Sequence, residues 1–374
     1  MDTGKNILIC PLEWGLGHAA RMIPLAKKLM ARNCRIFIGA GQKHLALFRA
    51  ELDGVTLIDF PGFNPRYSKY LPQYLAMLFR TPSLFFQMIR EHYLLRKIIF
   101  NHNIDIVISD NRLGLWNRSI TSVYVTHLPR IPFPGPWKIF EKAGIFFHRW
   151  VIAKYDHCLI PDLPGKINLS GDLSHNLRLP ANVRYTGIIS RFDTTDPGTT
   201  SFNFPHNTVI LSGPEPQRSI FRQKILQALK DSEITTVILE GRPDKEITGR
   251  KDGNFLFYSH LPASEMKELL ATSNFIVSRS GYTTIMDLVF LKRSALIVPT
   301  PGQTEQEYLA GYLAARGWFI TATQKDITGN LQLSDQLPRF PDGILKESNI
   351  LLGNFLDELL EEKQEKGRQD ITSR

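Results

Sequence analysis

The chain is poor in cysteine: three in 374 residues, Cys10, Cys34 and Cys158, far apart and each set in an apolar run. No C-x-x-C pair is present, so local sequence offers neither a zinc knuckle nor a dithiol redox centre. A scattered, odd-numbered set predicts reduced thiols in a cytoplasmic protein. Long apolar runs are missing too, since none reaches the roughly 18 residues that a spanning helix needs. The opening "MDTGKN" is polar and leads straight into an apolar run, which predicts no secretory leader. Acidic residues are scarce in one half only. Residues 1–190 carry 24 Lys and Arg against 12 Asp and Glu, whereas the rest carries 21 against 24. Such a basic half points to an anionic partner, against the plainer reading of a solvated face. No RNA-reading motif or basic arm is present, so nucleic acid is not expected as that partner.

What the chain does have is alternation. In the first half, apolar runs at 6–10, 34–40, 55–60, 104–110, 122–127 and 157–162 predict strands separated by helical stretches. Met22, Leu25, Ala26 and Leu29 fall on one face of the first such stretch. The second half repeats the plan, with strands predicted at 207–213, 235–241, 254–261, 275–281 and 294–301. The expected fold class is α/β, with two Rossmann-like doubly wound domains and a cleft between them. Their expected extents are 1–190 and 207–374, joined by a Thr-, Asp-, Gly- and Pro-rich linker at about 190–206. The amphipathic stretch "ILKESNILLGNFLDELL" could close against either domain. In sheets of this kind ligands bind beyond the carboxyl ends of the strands, so chemistry is sought in the strand-end loops.

The first such loop is "GLGHAAR", residues 15–21. Its Gly-x-Gly-x-x-Ala spacing fits a dinucleotide fingerprint, but "PLEW" intervenes after the strand and the second strand ends in "GAGQKH" with no carboxylate for a ribose. The glycines still open the loop, which includes Gly17, and set His18 at the start of a helix, where it can act as a general base or merely cap that helix. Asp110 in "SDNRLGL" and His127 in "THLPR" end strands on the same side. In the second half, "LSGPEPQRS" brings Ser212, Gly213 and Arg218 to a helix start suited to phosphate. "SRSGYTT" brings Arg279, Ser280, Gly281 and Thr283 to another, and Asp287 follows, where it could grip a ribose diol or simply favour the helix N-terminus. "PTPGQTEQEYLA" adds Gln303, Thr304, Glu305, Gln306 and Glu307, a polar run able to bond sugar hydroxyls.

Three of these segments, "GLGHAAR", "SRSGYTTIMDL" and "VPTPGQTEQEYLA", together resemble glycosyltransferases of family 28, the group containing the peptidoglycan enzyme that adds N-acetylglucosamine to a lipid-linked acceptor. The resemblance implies a GT-B fold, a nucleotide-sugar donor held mainly by the second domain, no metal and no cofactor beyond that donor. It implies inverting transfer of a hexose or N-acetylhexosamine, UDP-linked, to a hydroxyl acceptor such as a lipid-linked or cell-envelope glycan. His18 matches the motif histidine near the acceptor, and His127 matches one in a first-domain loop. His18 or Asp110 would take the acceptor proton, while Gly213, Arg218, Ser280 and Gly281 would steady the leaving diphosphate. Asp287 stands where the family usually has a ribose-binding Glu, and Gln306 with Glu307 where it usually has paired Gln near the donor sugar. "YSHLP" makes His260 and Leu261 candidates for holding the base. Pro214 and Pro216 offer no N–H, which throws more of the phosphate onto Arg218.

Two basic aromatic stretches, 74–100 and 130–155, could lie at an anionic membrane as a lipid-linked acceptor would demand, or could be ordinary core faces with a charged rim. The expected location is therefore cytoplasmic, peripheral on the inner face of the cell membrane. Two other readings stay open: a sugar-nucleotide 2-epimerase of the non-hydrolysing kind, using Asp110, Glu13 and His18, and a non-catalytic binder of anionic polymer.

Overall fold

The structure, a computed structural model, describes residues 4–63, 81–195, 202–213, 215–242, 249–327 and 340–361. Within the first half, β1 (Asn6–Cys10), β2 (Arg35–Ala40), β3 (Thr56–Asp59), β4 (Ile106–Asp110), β5 (Thr121–Val125), β6 (His157–Ile160) and β7 (Val183–Tyr185) form one sheet. Its order is β3-β2-β1-β4-β5-β6-β7, every pairing parallel. The central strands are apolar on both faces because both are covered. Ile9, for example, sits beside Ile38 on one side and Ile108 on the other. The helices α1 (Leu16–Met30), α2 (Gln42–Glu51), α3 (Thr81–His102) and α4 (Ile139–Ile152) supply the cover.

The second sheet contains β8 (His206–Ile210), β9 (Thr235–Leu239), β10 (Gly249–Asp252), β11 (Phe255–Tyr258), β12 (Phe275–Ser278), β13 (Leu296–Ile297) and β14 (Ile320–Thr321). Its order is β10-β11-β9-β8-β12-β13-β14, with only β10 antiparallel to its neighbour. Around it pack α5 (Gln217–Leu229), α6 (Ala263–Thr272), α7 (Tyr282–Phe290) and α8 (Thr304–Ala315). The last helix, α9 (Ile344–Glu361), returns to the first sheet, where Leu352, Phe355, Leu356 and Leu359 join the core of Ile7, Met22 and Leu25. Its crossing is tight at Gly187, whose φ of +74° and contact with the Ser348 backbone leave no room for a side chain.

The strands β7, β10 and β14 add to the expected set. They are short edge pieces, and β10 ("GRKD") is fully exposed, so no apolar pattern marks them. The apolar run at 294–301 pairs over two residues only, and then turns into the loop that opens α8. Part of the stretch 74–100 and part of the linker, at 74–80 and 196–201, lie outside the described residues. All three cysteines are free and buried, and burial pushes the Cys10 thiol up to about 12. Strand order reverses between β1 and β4 in one sheet and between β8 and β12 in the other, and the cleft opens at both places.

Candidate active site

Immediately after β1 the loop that opens α1 is pinned from beneath. Glu13, buried, accepts the Gly41 N–H at 2.5 Å and meets His44 Nδ1 at 2.8 Å, while His44 Nε2 donates to the Gly15 carbonyl at 2.9 Å. His18 then falls on the first turn of α1 and faces the cleft. Its Nδ1 lies 3.1 and 3.2 Å from the two oxygens of Asp110, the fully buried last residue of β4.

One turn further along α1 stands Arg21, 1% exposed. Its Nε donates to Asp110 Oδ2 at 2.8 Å, and its Nη2 donates to Asp110 Oδ1. Nη1 reaches His127 Nδ1 at 3.2 Å, and Nη2 passes 2.9 Å from His18 Nδ1. From the opposite domain, Glu305 in the first turn of α8 meets His127 Nε2 at 2.9 Å. The His127 ring lies flat on Tyr282 of α7, with ring centres 4.2 Å apart and planes 9° from parallel. Asp110, Arg21, His18, His127 and Glu305 thus form one connected cluster across the floor of the cleft.

Burial lowers the His18 imidazole below its ordinary value; the Asp110 charge pulls the other way, but Arg21 offsets part of that pull. A neutral imidazole with its Nδ1 side turned to a carboxylate is the state a general base needs. Burial alone would raise Asp110, yet the charges of Arg21 and His18 outweigh it and hold the carboxyl well below the usual range. Glu305 is likewise pushed up by burial but brought below the ordinary glutamate value by His127, with His18 and Arg21 behind it.

Across from this floor, the starts of α7 and α8 and the loop leading into α5 turn toward the same space, which Gly213, Gly281, Thr283 and Gln303 line. Free backbone amides and the positive ends of helix dipoles make such a convergence attractive to phosphate. Gln303 Oε1 is buried without a hydrogen-bond partner among the described residues, an acceptor left open toward the cleft.

Residues 219–347 match the glycosyltransferase family 28 C-terminal domain, a span that includes the starts of α7 and α8. An 83-residue stretch is 37% identical to the UDP-N-acetylglucosamine–N-acetylmuramyl-(pentapeptide) pyrophosphoryl-undecaprenol N-acetylglucosamine transferase of Rhodopseudomonas palustris, covering 22% of this chain and 21% of that one. The chain is a glycosyltransferase whose C-terminal half carries a family 28 domain match. Over 328 residues, 84% of either chain, it is 23% identical to an uncharacterized glycosyltransferase of Methanosarcina acetivorans. The crystal structure of the glycosyltransferase SnogD from Streptomyces nogalater superposes with a TM-score of 0.58 at 15% identity, over 95% of this chain and 96% of the other, which places the fold as GT-B.

The cleft gathers most of the expected site residues: Gly17, His18 and His127 from the first domain, and Ser212, Gly213, Arg218, His260, Leu261, Gly281, Thr283, Gln303 and Gln306 from the second. Gly17 also joins the domains, its carbonyl accepting from Thr283 Oγ1 at 3.1 Å. Arg218 is less free than expected, because Glu215 Oε1 takes its Nε at 3.0 Å and its Nη2 at 2.9 Å. Gln306 lines the cleft while its Oε1 accepts from the Thr300 N–H at 2.8 Å.

Four expectations are corrected. Asp287 does not face the cleft: it is buried, and accepts from Ser190 Oγ at 2.8 Å, the Arg191 N–H at 3.2 Å and Arg191 Nε at 2.8 Å, so it clamps the linker instead of waiting for a diol. Arg279, fully buried over the Phe221 ring, spends its guanidinium on the carbonyls of Val298, Pro299 and Gln217 and on Gln324, bracing the loops from behind. Ser280 is buried too, donating to the Gln306 carbonyl at 2.9 Å. Glu307 folds back on the Gly302 N–H at 2.8 Å, and it is Glu305, two residues earlier on α8, that enters the cleft. Arg21 and Arg191 are the functional candidates that residue patterns did not single out, and Glu305 was visible only as one member of a polar run expected to bond sugar hydroxyls. For Arg21 a signal existed: three positions after His18 on a helix is the same face. For Arg191, a linker residue, there was none.

Proposed function

We propose that the chain moves a hexose or N-acetylhexosamine from a UDP-linked donor to a hydroxyl acceptor with inversion, using His18 as the base. The carrying observation is the His18–Asp110 pair placed across the cleft from converging helix starts. The acceptor O–H gives its proton to His18 Nε2, its oxygen forms the new bond to the anomeric carbon, and the bond from that carbon to phosphate oxygen breaks. The nucleoside diphosphate leaves with the electron pair. Charge developing on it is met by the amides at the α7 and α8 starts and by the cleft-lining cations Lys43, Arg191 and Arg218, a kind of stabilisation commonly worth ~3–4 kcal/mol for one strong donor. No metal is assigned to this step, since fixed amides and guanidinium groups supply the positive field.

The nucleobase is assigned to the His260–Leu261 side, where Leu261, Ala263 and Met266 form an apolar wall. Glu13, committed to Gly41 and His44, is not free to work on a sugar, which weighs against epimerisation.

For the acceptor, α3 and α4 pack together through Phe85 and Phe147 and leave Phe86, Phe100, Ile139 and Phe146 more than 70% exposed. Arg90, Arg96, Lys97, Lys138, Lys142, Arg149 and Lys154 are exposed on the same two helices and the residues flanking α4. Among the described residues no helix is long and apolar enough to cross a membrane. An apolar face ringed by cations supports peripheral contact with anionic lipid on the inner face of the cell membrane, where a lipid-linked acceptor would be met.

Titration calorimetry with UDP, TDP and GDP tests the donor assignment: UDP should bind at one site, and no binding by any of the three would sink it. Incubation with a UDP-sugar alone should leave the sugar's configuration unchanged; an epimerised product would overturn transfer as the reaction.

A further inference from the structure

Arg21 contributes no atom to the proposed reaction, yet it touches every member of the cluster in its own domain. A guanidinium can only donate hydrogen bonds. Because Nη1 points at His127 Nδ1 at 3.2 Å, that nitrogen must carry a lone pair, and the proton of a neutral ring must then sit on Nε2, where Glu305 Oε1 accepts it at 2.9 Å. Both nitrogens of His127 are spent. On His18 the demand differs: Nδ1 faces two acceptor-only oxygens of Asp110 at 3.1 and 3.2 Å, and although Arg21 Nη2 lies 2.9 Å away, that nitrogen already donates to Asp110 Oδ1, so the His18 Nδ1 proton is assigned to the carboxylate. The His18 lone pair is left on Nε2, where no hydrogen bond is made among the described residues.

We propose that Arg21 is a positioning residue that fixes opposite tautomers on two histidines, Nδ1–H on His18 and Nε2–H on His127, leaving one base and one strut. The Nε and Nη2 fork neutralises Asp110, so that the carboxylate orients His18 without turning it into an imidazolium. The Nη1 arm commits His127 to Glu305 of the opposite domain and so ties the base to the seating of α8 beneath the donor. The groups facing His18 are Asp110 from β4, Arg21 from α1 and His127 from the loop after β5, with Glu305 of α8 beyond. Of these, Arg21 is the only fixed cation. Burial and Arg21 together place the His18 imidazole below its ordinary value, in line with this assignment. The role of His18 as base rests on the proposed function; the two tautomers do not.

The test needs no substrate. Long-range proton–nitrogen spectra of the full-length chain carrying nitrogen-15 histidine report the tautomer of each ring, with His18→Ala and His127→Ala giving the assignments. Wild type should show Nδ1–H on His18 and Nε2–H on His127. In Arg21→Met, His18 should titrate upward by about one pH unit or more, since the full Asp110 charge then favours the imidazolium. Arg21→Lys restores the charge but has no planar fork to span two partners. His18 should stay within ~0.3 units of wild type, while His127 should lose its single tautomer. A merely structural arginine would lower thermal stability in both variants without moving either readout, and that result overturns the proposal. So does Nε2–H on His18 in wild type, which decides the matter alone if neither variant folds. A chain that binds no nucleoside diphosphate but shows these tautomers would discard the donor assignment and keep this one.

Discussion

Replacing Asp110 by Asn probes the cluster at its most constrained point. The carboxylate is fully buried and receives two donors from an equally buried Arg21 as well as facing His18 Nδ1. Removing one member of a buried ion pair typically costs 3–5 kcal/mol, because the remaining charge is left uncompensated. The amide oxygen of Asn still accepts from one arm of the fork, so the expected loss is at the lower end, about 3 kcal/mol. Guanidinium denaturation of the first domain, followed by tryptophan fluorescence, reads this as a fall in midpoint at constant slope. The pH dependence has a definite sign. Asp110 is held below its unfolded value, so its contribution is complete above about pH 4 and is lost as pH falls toward the depressed folded-state value. The wild-type advantage over Asp110→Asn should therefore shrink below about pH 4. Turnover should fall by ~10²–10⁴-fold in the same variant, because the amide no longer selects the His18 proton position. A stability change under about 1 kcal/mol would show that Arg21 finds other compensation, and would refute the buried-pair argument.

His18→Ala should lower turnover by ~10²–10⁴-fold while donor affinity by calorimetry changes little. Because His18 is lowered in the fold, the acid limb of the wild-type rate should lie below about pH 6.5; a limb above that value contradicts the neutral-base assignment. Asp287→Ala should leave UDP affinity within about threefold, yet strand the buried Ser190 hydroxyl at a cost of ~1–3 kcal/mol; a tenfold affinity loss with unchanged stability would return Asp287 to the ribose. Phe86→Ser with Phe146→Ser should abolish salt-sensitive flotation with anionic vesicles, and flotation that persists would move the membrane face elsewhere. Gly171, at φ +50° against Tyr308 and Tyr312 of α8, should resist substitution: Gly171→Ala should loosen the contact between domains, seen as faster proteolysis between them, and wild-type proteolysis would show that the tyrosines yield.

The candidate site was partly legible in advance. His18, Asp110 and His127 stand at strand ends that apolar runs made visible, and the structure brings all three within one hydrogen-bonded cluster. The helix starts at Gly281 and Gln303 were visible from glycine and polar runs after strands. Which neighbour faces the cleft was not. Glu305 and Glu307 differ by two positions on α8, a rotation of about 200°, and only packing decides that the first enters the cleft while the second bends back to Gly302.

Asp287 shows the same limit from the other side. Its spacing from Gly281 suits a ligand contact, but Arg191, nearly a hundred positions away, reaches it first. Periodicity is a property of neighbouring residues, so the chain alone determined two doubly wound domains, the strands that build them and the loops where chemistry had to be sought. Which side chains would neutralise one another depends on atoms brought together from distant segments. That choice, from Arg21 between two histidines to Arg191 across Asp287, belonged to the tertiary structure.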